Sequence, residues 1–107
     1  MGVTKTNLFT ERQNELAKLA KGLAHPARIA ILEHLISSNT CINSDLVQEL
    51  GLAQATISQH LRELKDLGII QGNIEGASIS YCINPSKWDE IKSLLGGFFD
   101  SFSGRCC

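Results

Sequence analysis

The sequence lacks a long hydrophobic run, and this absence excludes a membrane-spanning helix. No stretch of the 107 residues approaches the ~18–20 consecutive apolar residues that such a helix needs. The N-terminal stretch MGVTKTNLFTER has no apolar segment of the kind found in secretory signals, so we expect a cytoplasmic protein without a membrane partner. Gly2 and Thr6 match the short myristoylation pattern, which often arises by chance.

An excess of positive charge is also missing. The formal net charge is −1 and the pI is about 6.3, which argues against a surface covered in basic residues for non-specific nucleic-acid binding, although a local basic face is compatible with it. The chain has no Cys-x-x-Cys pair, and a cytosolic chain stays reduced, so we expect no disulfide framework. No nucleophile–base set, glycine-rich phosphate loop or carboxylate pair indicates an enzyme.

The composition is that of a globular protein, with 43% hydrophobic and 20% charged residues, and the length suits one domain over residues 1–107. Apolar residues recur at helical spacing in five segments, and alternate over residues 69–83 as in two strands. The predicted order is therefore ααααββα, a mainly α (α+β) fold with one hairpin. The last helix is predicted at about residues 85–103.

A helix-turn-helix is predicted at about residues 44–67, followed by a wing at about residues 69–83. Its two helices are joined by the short turn Gly51-Leu52-Ala53, and the second helix of such a motif can lie in the major groove of DNA. Short polar side chains there reach base edges and cations meet phosphates. The candidate DNA-binding residues are Gln54, Thr56, Ser58, Gln59, Arg62 and Lys65.

The stretch from Leu19 to Tyr81 resembles the winged helix-turn-helix repressors of the ArsR/SmtB family. The segments LAHPARIAILEHL and DLVQELGLAQATISQHLRELKDLGII carry the likeness. The resemblance implies a homodimer built from the first and last helices, and operator DNA bound until an effector releases it, with no cofactor required for DNA binding. Two departures concern that binding: Ala53 stands where members usually carry Ser or Thr, and the wing sequence Glu75-Gly76-Ala77-Ser78 lacks the usual Arg.

The last helix has an apolar face broader than a small domain can cover, and such faces usually mark an interface. Together with the first helix it predicts an isologous, two-fold dimer contact. The candidate interface residues are Phe9, Leu16, Leu23, Trp88, Ile91, Leu95, Phe98, Phe99 and Phe102.

The cysteines suggest the effector. Arsenic-sensing members place a Cys-x-Cys before the Asp-Leu of the third helix, and here Cys41 stands one position too early. Other members use an adjacent pair, which Cys106 and Cys107 resemble. Vicinal thiolates chelate soft ions, so As(III) or Sb(III) is the expected effector, with a third sulfur from Cys41 or from the partner subunit. Cys82 is expected to be a buried structural residue.

Histidines give no sign of a metal site. His25, His34 and His60 have no partner at ligand spacing, and the last helix lacks the histidine that the family's zinc sensors carry there.

Two alternatives remain open at this point. One keeps the repressor but makes the switch oxidative, with an oxidant or persulfide linking cysteines across the fold. The other is a winged-helix module that binds protein in place of DNA, which the acidic pI favours.

Overall fold

Four helices and a two-stranded antiparallel sheet make up the part of the chain that the computed structural model describes, residues 8–38, 41, 50–75 and 78–104. The elements are α1 (Glu11–Gly22), α2 (Pro26–Ser38), α3 (Gln54–Asp66), β1 (Ile70–Glu75), β2 (Ser78–Ile83) and α4 (Pro85–Asp100). The predicted winged-helix fold is confirmed. Of the five predicted helices, the one near residues 44–50 lies outside the described residues apart from Leu50. None of the described helices has the length and apolarity to cross a membrane.

Side chains define where α1 and α4 begin. Thr10 and Gln13 form a capping box, in which each side chain accepts the other residue's backbone N–H at 3.0 Å. At α4, the Asn84 side chain accepts the N–H of Lys87, and Pro85 occupies the first turn, where its missing N–H costs nothing. Such caps contribute about 1 kcal/mol each, and they fix where the two helices begin.

The end of α3 is fixed by a glycine in the left-handed region. Gly68 has a φ of 82°, and its N–H donates to the Lys65 carbonyl at 2.9 Å while the N–H of Ile69 donates to the Leu64 carbonyl at 3.0 Å. These two bonds form a Schellman motif, which satisfies the last helical carbonyls. The chain therefore turns from α3 directly into β1.

The sheet is a single antiparallel pair with a clear register. Ile70 pairs with Ile83, Gln71 with Cys82 and Gly72 with Tyr81. Residues 76–77, at the predicted turn of the wing, lie outside the described residues. The pairing places Cys82 on β2 shortly before the chain enters α4.

The core fixes which side of α3 faces outward. Buried apolar side chains come from all four helices and from the chain at the start of β1. They are Leu19, Ile31, Leu32, Leu35, Ile57, Leu61, Leu64, Ile69, Ile70 and Ile91. Burial of each such side chain stabilises the fold by roughly 1.5–3 kcal/mol relative to exposure. The opposite side of α3 is thereby left to solvent.

Candidate nucleic-acid interface and cysteine site

α3 has two chemically distinct sides. Ile57, His60, Leu61 and Leu64 are buried, at the spacing of three and four residues that marks one helical face. The six candidate DNA-binding residues all lie on the exposed side: Gln54, Thr56, Ser58, Gln59, Arg62 and Lys65. The helix therefore presents amides, hydroxyls and two cations to solvent from a firmly packed base.

The first turn of α3 has no side-chain cap, as the sequence predicts. Ala53 occupies the N-cap position with an extended backbone and makes no side-chain hydrogen bond. Gln54 instead donates from Nε2 to Ser58 Oγ at 3.3 Å, along the exposed side. A bound phosphate oxygen could satisfy first-turn N–H groups that a serine or threonine cap would otherwise occupy.

Arg28 connects α3 to the rest of the domain. Its Nε donates to His60 Nδ1 at 3.1 Å, its Nη1 donates to the Gly22 carbonyl at 3.1 Å, and its Nη2 forms an ion pair with Glu63. One guanidinium therefore joins the end of α1, α2 and two residues of α3. The sequence did not reveal Arg28 as the partner of His60, because the two residues are 32 positions apart.

His25 and His60 lie against one another beside this arginine. Their ring centroids are 4.4 Å apart, and His25 Nδ1 accepts the backbone N–H of Ala27 at 3.0 Å, which caps the start of α2. Each ring thus uses its Nδ1 as an acceptor. His60 is only 8% exposed, so its neutral form is an internal acceptor for Arg28.

Burial lowers the pKa of His60 below its ordinary value, and the charges of His25 and Arg28 lower it further. The unfolded chain therefore binds a proton more readily than the folded one. By linkage, this residue contributes stability that is present above the unfolded-state pKa of about 6.5 and is lost as the pH falls from there through the folded-state value. The groups facing His60 are His25, Arg28 and, through Arg28, Glu63.

We expect the stability of the His60→Asn variant to depend less on pH than the stability of the wild type. Asparagine can still accept a hydrogen bond but cannot take up a proton, so the free energy of unfolding should fall less between pH 7 and pH 5. Chemical unfolding at a series of pH values measures this, with pH 8 as the reference, where both side chains are neutral. Equal slopes in the two proteins would contradict the assignment.

The cysteines correct two expectations. Cys41 and Cys82 form a disulfide with a Cα–Cα distance of 4.4 Å, so the expectation of no disulfide and that of a free, structural Cys82 are wrong. The fold brings together two residues that are 41 positions apart, which spacing alone does not reveal. Cys41, bonded in this way, is not available as a third metalloid ligand in this form. Cys106 and Cys107 lie outside the described residues.

A mostly apolar cavity of about 450 Å³ adjoins the disulfide. Cys41 is exposed and Cys82 half-buried. The apolar side chains around the two cysteines are Leu35, Ile36, Ile83, Pro85 and Trp88. Asp89 is the one charged residue among the described residues that line the cavity. Within those residues, no group of three or more His, Cys, Asp or Glu side chains is placed to hold a metal ion.

The apolar face of α1 and α4 is strongly exposed in the single chain. Phe9, Phe98, Phe99 and Phe102 are exposed, and the rings of Phe98 and Phe99 lie 5.6 Å apart. Leu16, Leu23, Trp88 and Leu95 are half-buried. Ile91 is only 6% exposed and packs in the core of its own chain, so it offers a partner far less surface than the four phenylalanines do. The turn of the helix directs it inward, while the phenylalanines further along α4 remain outside.

Comparisons with known proteins agree with this architecture. Residues 25–71 match the family described as "Bacterial regulatory protein, arsR family". The transcriptional repressor PagR of Bacillus anthracis is 35% identical over 79 residues, which cover 74% of this chain and 79% of that protein. The biofilm growth-associated repressor of Xylella fastidiosa strain Temecula1 is 30% identical over 89 residues, covering 83% of this chain and 77% of the relative.

Solved structures show the same fold over nearly the whole chain. The crystal structure of the transcriptional repressor BigR from Xylella fastidiosa superposes with a TM-score of 0.64 and 27% sequence identity, covering 96% of this chain and 100% of that one. HlyU from Vibrio cholerae superposes with a TM-score of 0.68 at 23% identity, over 85% of this chain and 98% of that one.

Proposed function

Because the chain belongs to the arsR family of bacterial regulatory proteins and is a transcriptional repressor rather than an enzyme, we propose that it binds its operator as a homodimer through the exposed side of α3. Both of these relatives are repressors, which favours DNA over a protein as the partner of α3. We place the repressor in the cytoplasm, where its operator is.

The separation of the two sides of α3 is the observation that carries this proposal. The side chains of Ile57, Leu61 and Leu64 anchor the helix in the core, while Gln59 and Arg62 are exposed on the other side. Glutamine can pair with adenine through two hydrogen bonds, hydroxyls serve as donor or acceptor, and cations neutralise phosphates. This arrangement suits a helix inserted into the major groove.

The exposed phenylalanines of α4 support the dimer. A two-fold contact through Phe98 and Phe99 would cover apolar surface that a monomer leaves in water. In a dimer the two copies of α3 can meet successive major grooves, about 34 Å apart on one side of the duplex. Each operator would then contain two related half-sites.

We expect the Gln59→Ala and Ser58→Ala variants to bind the operator about 1–3 kcal/mol more weakly, because each removes a contact to a base edge. Both residues are exposed, so the fold should be unaffected. Ser93→Ala, an exposed position on α4, is the matched control. Fluorescence anisotropy with operator DNA measures the affinities. Wild-type affinity in both α3 variants would show that this helix does not bind in the major groove.

We expect Arg62→Ala to weaken binding to all DNA sequences, because it removes a phosphate contact. The slope of log K against log salt concentration should become shallower by about one unit. Arg12→Ala removes another exposed arginine, from α1, and should leave the slope unchanged. An unchanged slope in Arg62→Ala as well would exclude the phosphate contact.

As(III) or Sb(III) is the first effector we propose. The adjacent thiols of Cys106 and Cys107 support it, because vicinal thiolates chelate soft ions. Since Cys41 is bonded to Cys82 in this structure, the third sulfur would come from the partner subunit or from a reduced Cys41.

A thiol–disulfide switch is the second candidate, and the Cys41–Cys82 disulfide favours it. Cytosolic disulfides are typically transient and often serve redox sensing. The bond spans a 41-residue separation that contains α3 and β1, so its formation constrains the DNA-binding region against the wing.

Two double variants separate these effectors. Arsenite should release the wild-type protein from DNA and leave Cys106→Ser/Cys107→Ser bound. A response that persists in Cys41→Ser/Cys82→Ser assigns the third sulfur to the partner subunit, and a weakened response assigns it to Cys41. An oxidative switch predicts the reverse, with Cys41→Ser/Cys82→Ser remaining bound in the presence of an oxidant or polysulfide. Release of Cys106→Ser/Cys107→Ser by arsenite would overturn the metalloid site.

A further inference from the structure

The cavity beside the Cys41–Cys82 disulfide has the size and the lining of a small-molecule site. It places the largely apolar side chains of Leu35, Ile83 and Trp88 around the two cysteines, and its volume of about 450 Å³ lies within the ordinary range for small-molecule sites. A thiol that reacts with hydrogen peroxide needs only access to solvent. An apolar cavity of this size is useful when the molecule that must reach the sulfur carries hydrocarbon.

We propose that this cavity binds organic hydroperoxides and delivers their peroxide group to Cys41 and Cys82. This inference rests on the redox form of the proposed function and names the chemical class of its effector. Hydrogen peroxide has no carbon to bury, so the cavity offers it no gain. Burial of every two CH₂ groups favours an organic hydroperoxide by about tenfold.

The charge of Asp89 disfavours anionic oxidants in the cavity. Asp89 lines the cavity, and its carboxylate repels hydropolysulfide anions. An organic hydroperoxide is neutral at pH 7 and avoids this repulsion. The residues of the cavity therefore favour a neutral, apolar oxidant on two independent grounds.

The reaction balances with the two thiols and one hydroperoxide. The Cys41 thiolate, on the more exposed residue, attacks the terminal peroxide oxygen, the O–O bond breaks, and the alcohol leaves with the proton of that thiol. This step forms a sulfenic acid on Cys41. The Cys82 thiolate then attacks the Cys41 sulfur, the S–S bond forms, and the hydroxyl leaves as water with the second proton. Two electrons pass from the sulfurs to the peroxide.

Trp88 provides a direct probe. It is the only tryptophan in the chain and lines the same cavity as both cysteines, so its emission should change when the disulfide forms. Reduced wild-type protein is mixed with cumene hydroperoxide or with hydrogen peroxide, and peptide mass spectrometry identifies the Cys41–Cys82 bond. Each rate constant is divided by that of a short cysteine peptide with the same oxidant, which removes intrinsic reactivity.

Ile36 and Ile29 give a matched pair of variants on α2. Ile36 is 51% exposed and Ile29 is 41% exposed, so a charged side chain is tolerated at either position, but only Ile36 lines the cavity. We expect normalised oxidation by cumene hydroperoxide to exceed that by hydrogen peroxide at least tenfold. Ile36→Glu should remove this preference, and Ile29→Glu should retain it.

The outcomes test the oxidant site separately from redox control of DNA binding. Equal normalised rates for the two oxidants in the wild type, or the same preference in Ile36→Glu and Ile29→Glu, would overturn the proposal. If the preference is found and the oxidised and reduced proteins bind operator DNA equally, the oxidant site stands and redox control of the repressor is wrong.

Discussion

The Phe99→Glu variant should sediment as a monomer and bind its operator at least ~100-fold more weakly than the wild type. Phe99 is 68% exposed in the single chain, so the substitution should change the stability of the subunit by no more than about 0.5 kcal/mol. In a two-fold interface it would bury an unpaired carboxylate on both sides of the contact. DNA binding then loses the second half-site, a loss typically worth 10²–10⁴-fold.

Ser93→Glu is the control for this experiment. Ser93 is exposed on the same helix, outside the predicted interface, so the added charge is equal but its place is different. Analytical ultracentrifugation gives the mass and anisotropy gives the affinity. A Phe99→Glu protein that remains dimeric would show that the phenylalanine face is not the interface.

Reduction of the Cys41–Cys82 disulfide should lower the free energy of unfolding by about 2–4 kcal/mol. The two residues are 41 positions apart, and the chain-entropy model assigns about 4 kcal/mol to a closed loop of that length. The effect is large for a domain whose whole stability is of the order of 5–15 kcal/mol. Urea unfolding with and without dithiothreitol measures it.

The Cys41→Ser/Cys82→Ser variant isolates the contribution of this bond. Its stability should match that of the reduced wild type and should not respond to dithiothreitol. A wild type whose stability is the same in both redox conditions would contradict the prediction, and a response in the double variant would assign the effect to Cys106 and Cys107.

Much of the fold could be predicted because its signals are local. The Asn84-Pro85 cap, the Pro26 start and the Gly68 stop each lie within a few residues of the boundary that they set. The absence of a side-chain cap at Ala53, where α3 begins, could also be predicted from the sequence. The pattern over residues 69–83 predicts two strands joined by a turn, and the structure has β1 and β2 within this range.

Parts of the candidate site could not be predicted, because they depend on contacts between distant positions. Arg28 reaches His60 across 32 residues, and Cys41 meets Cys82 across 41. Neither pair has a characteristic spacing. The burial of Ile91 in the core of its own chain could not be predicted for a related reason: helical periodicity identifies an apolar face but not whether its neighbour belongs to the same chain or to a second copy.

Binding of the wild-type protein to the DNA upstream of its own gene, measured over a range of salt concentrations, tests the central claim most directly. A dimer that inserts α3 into two half-sites should bind that DNA at least ~10³-fold more tightly than a scrambled duplex. Log K should fall linearly with log salt, by about 0.9 for each phosphate contacted. Equal affinity for both duplexes, or no binding to either, would contradict the account.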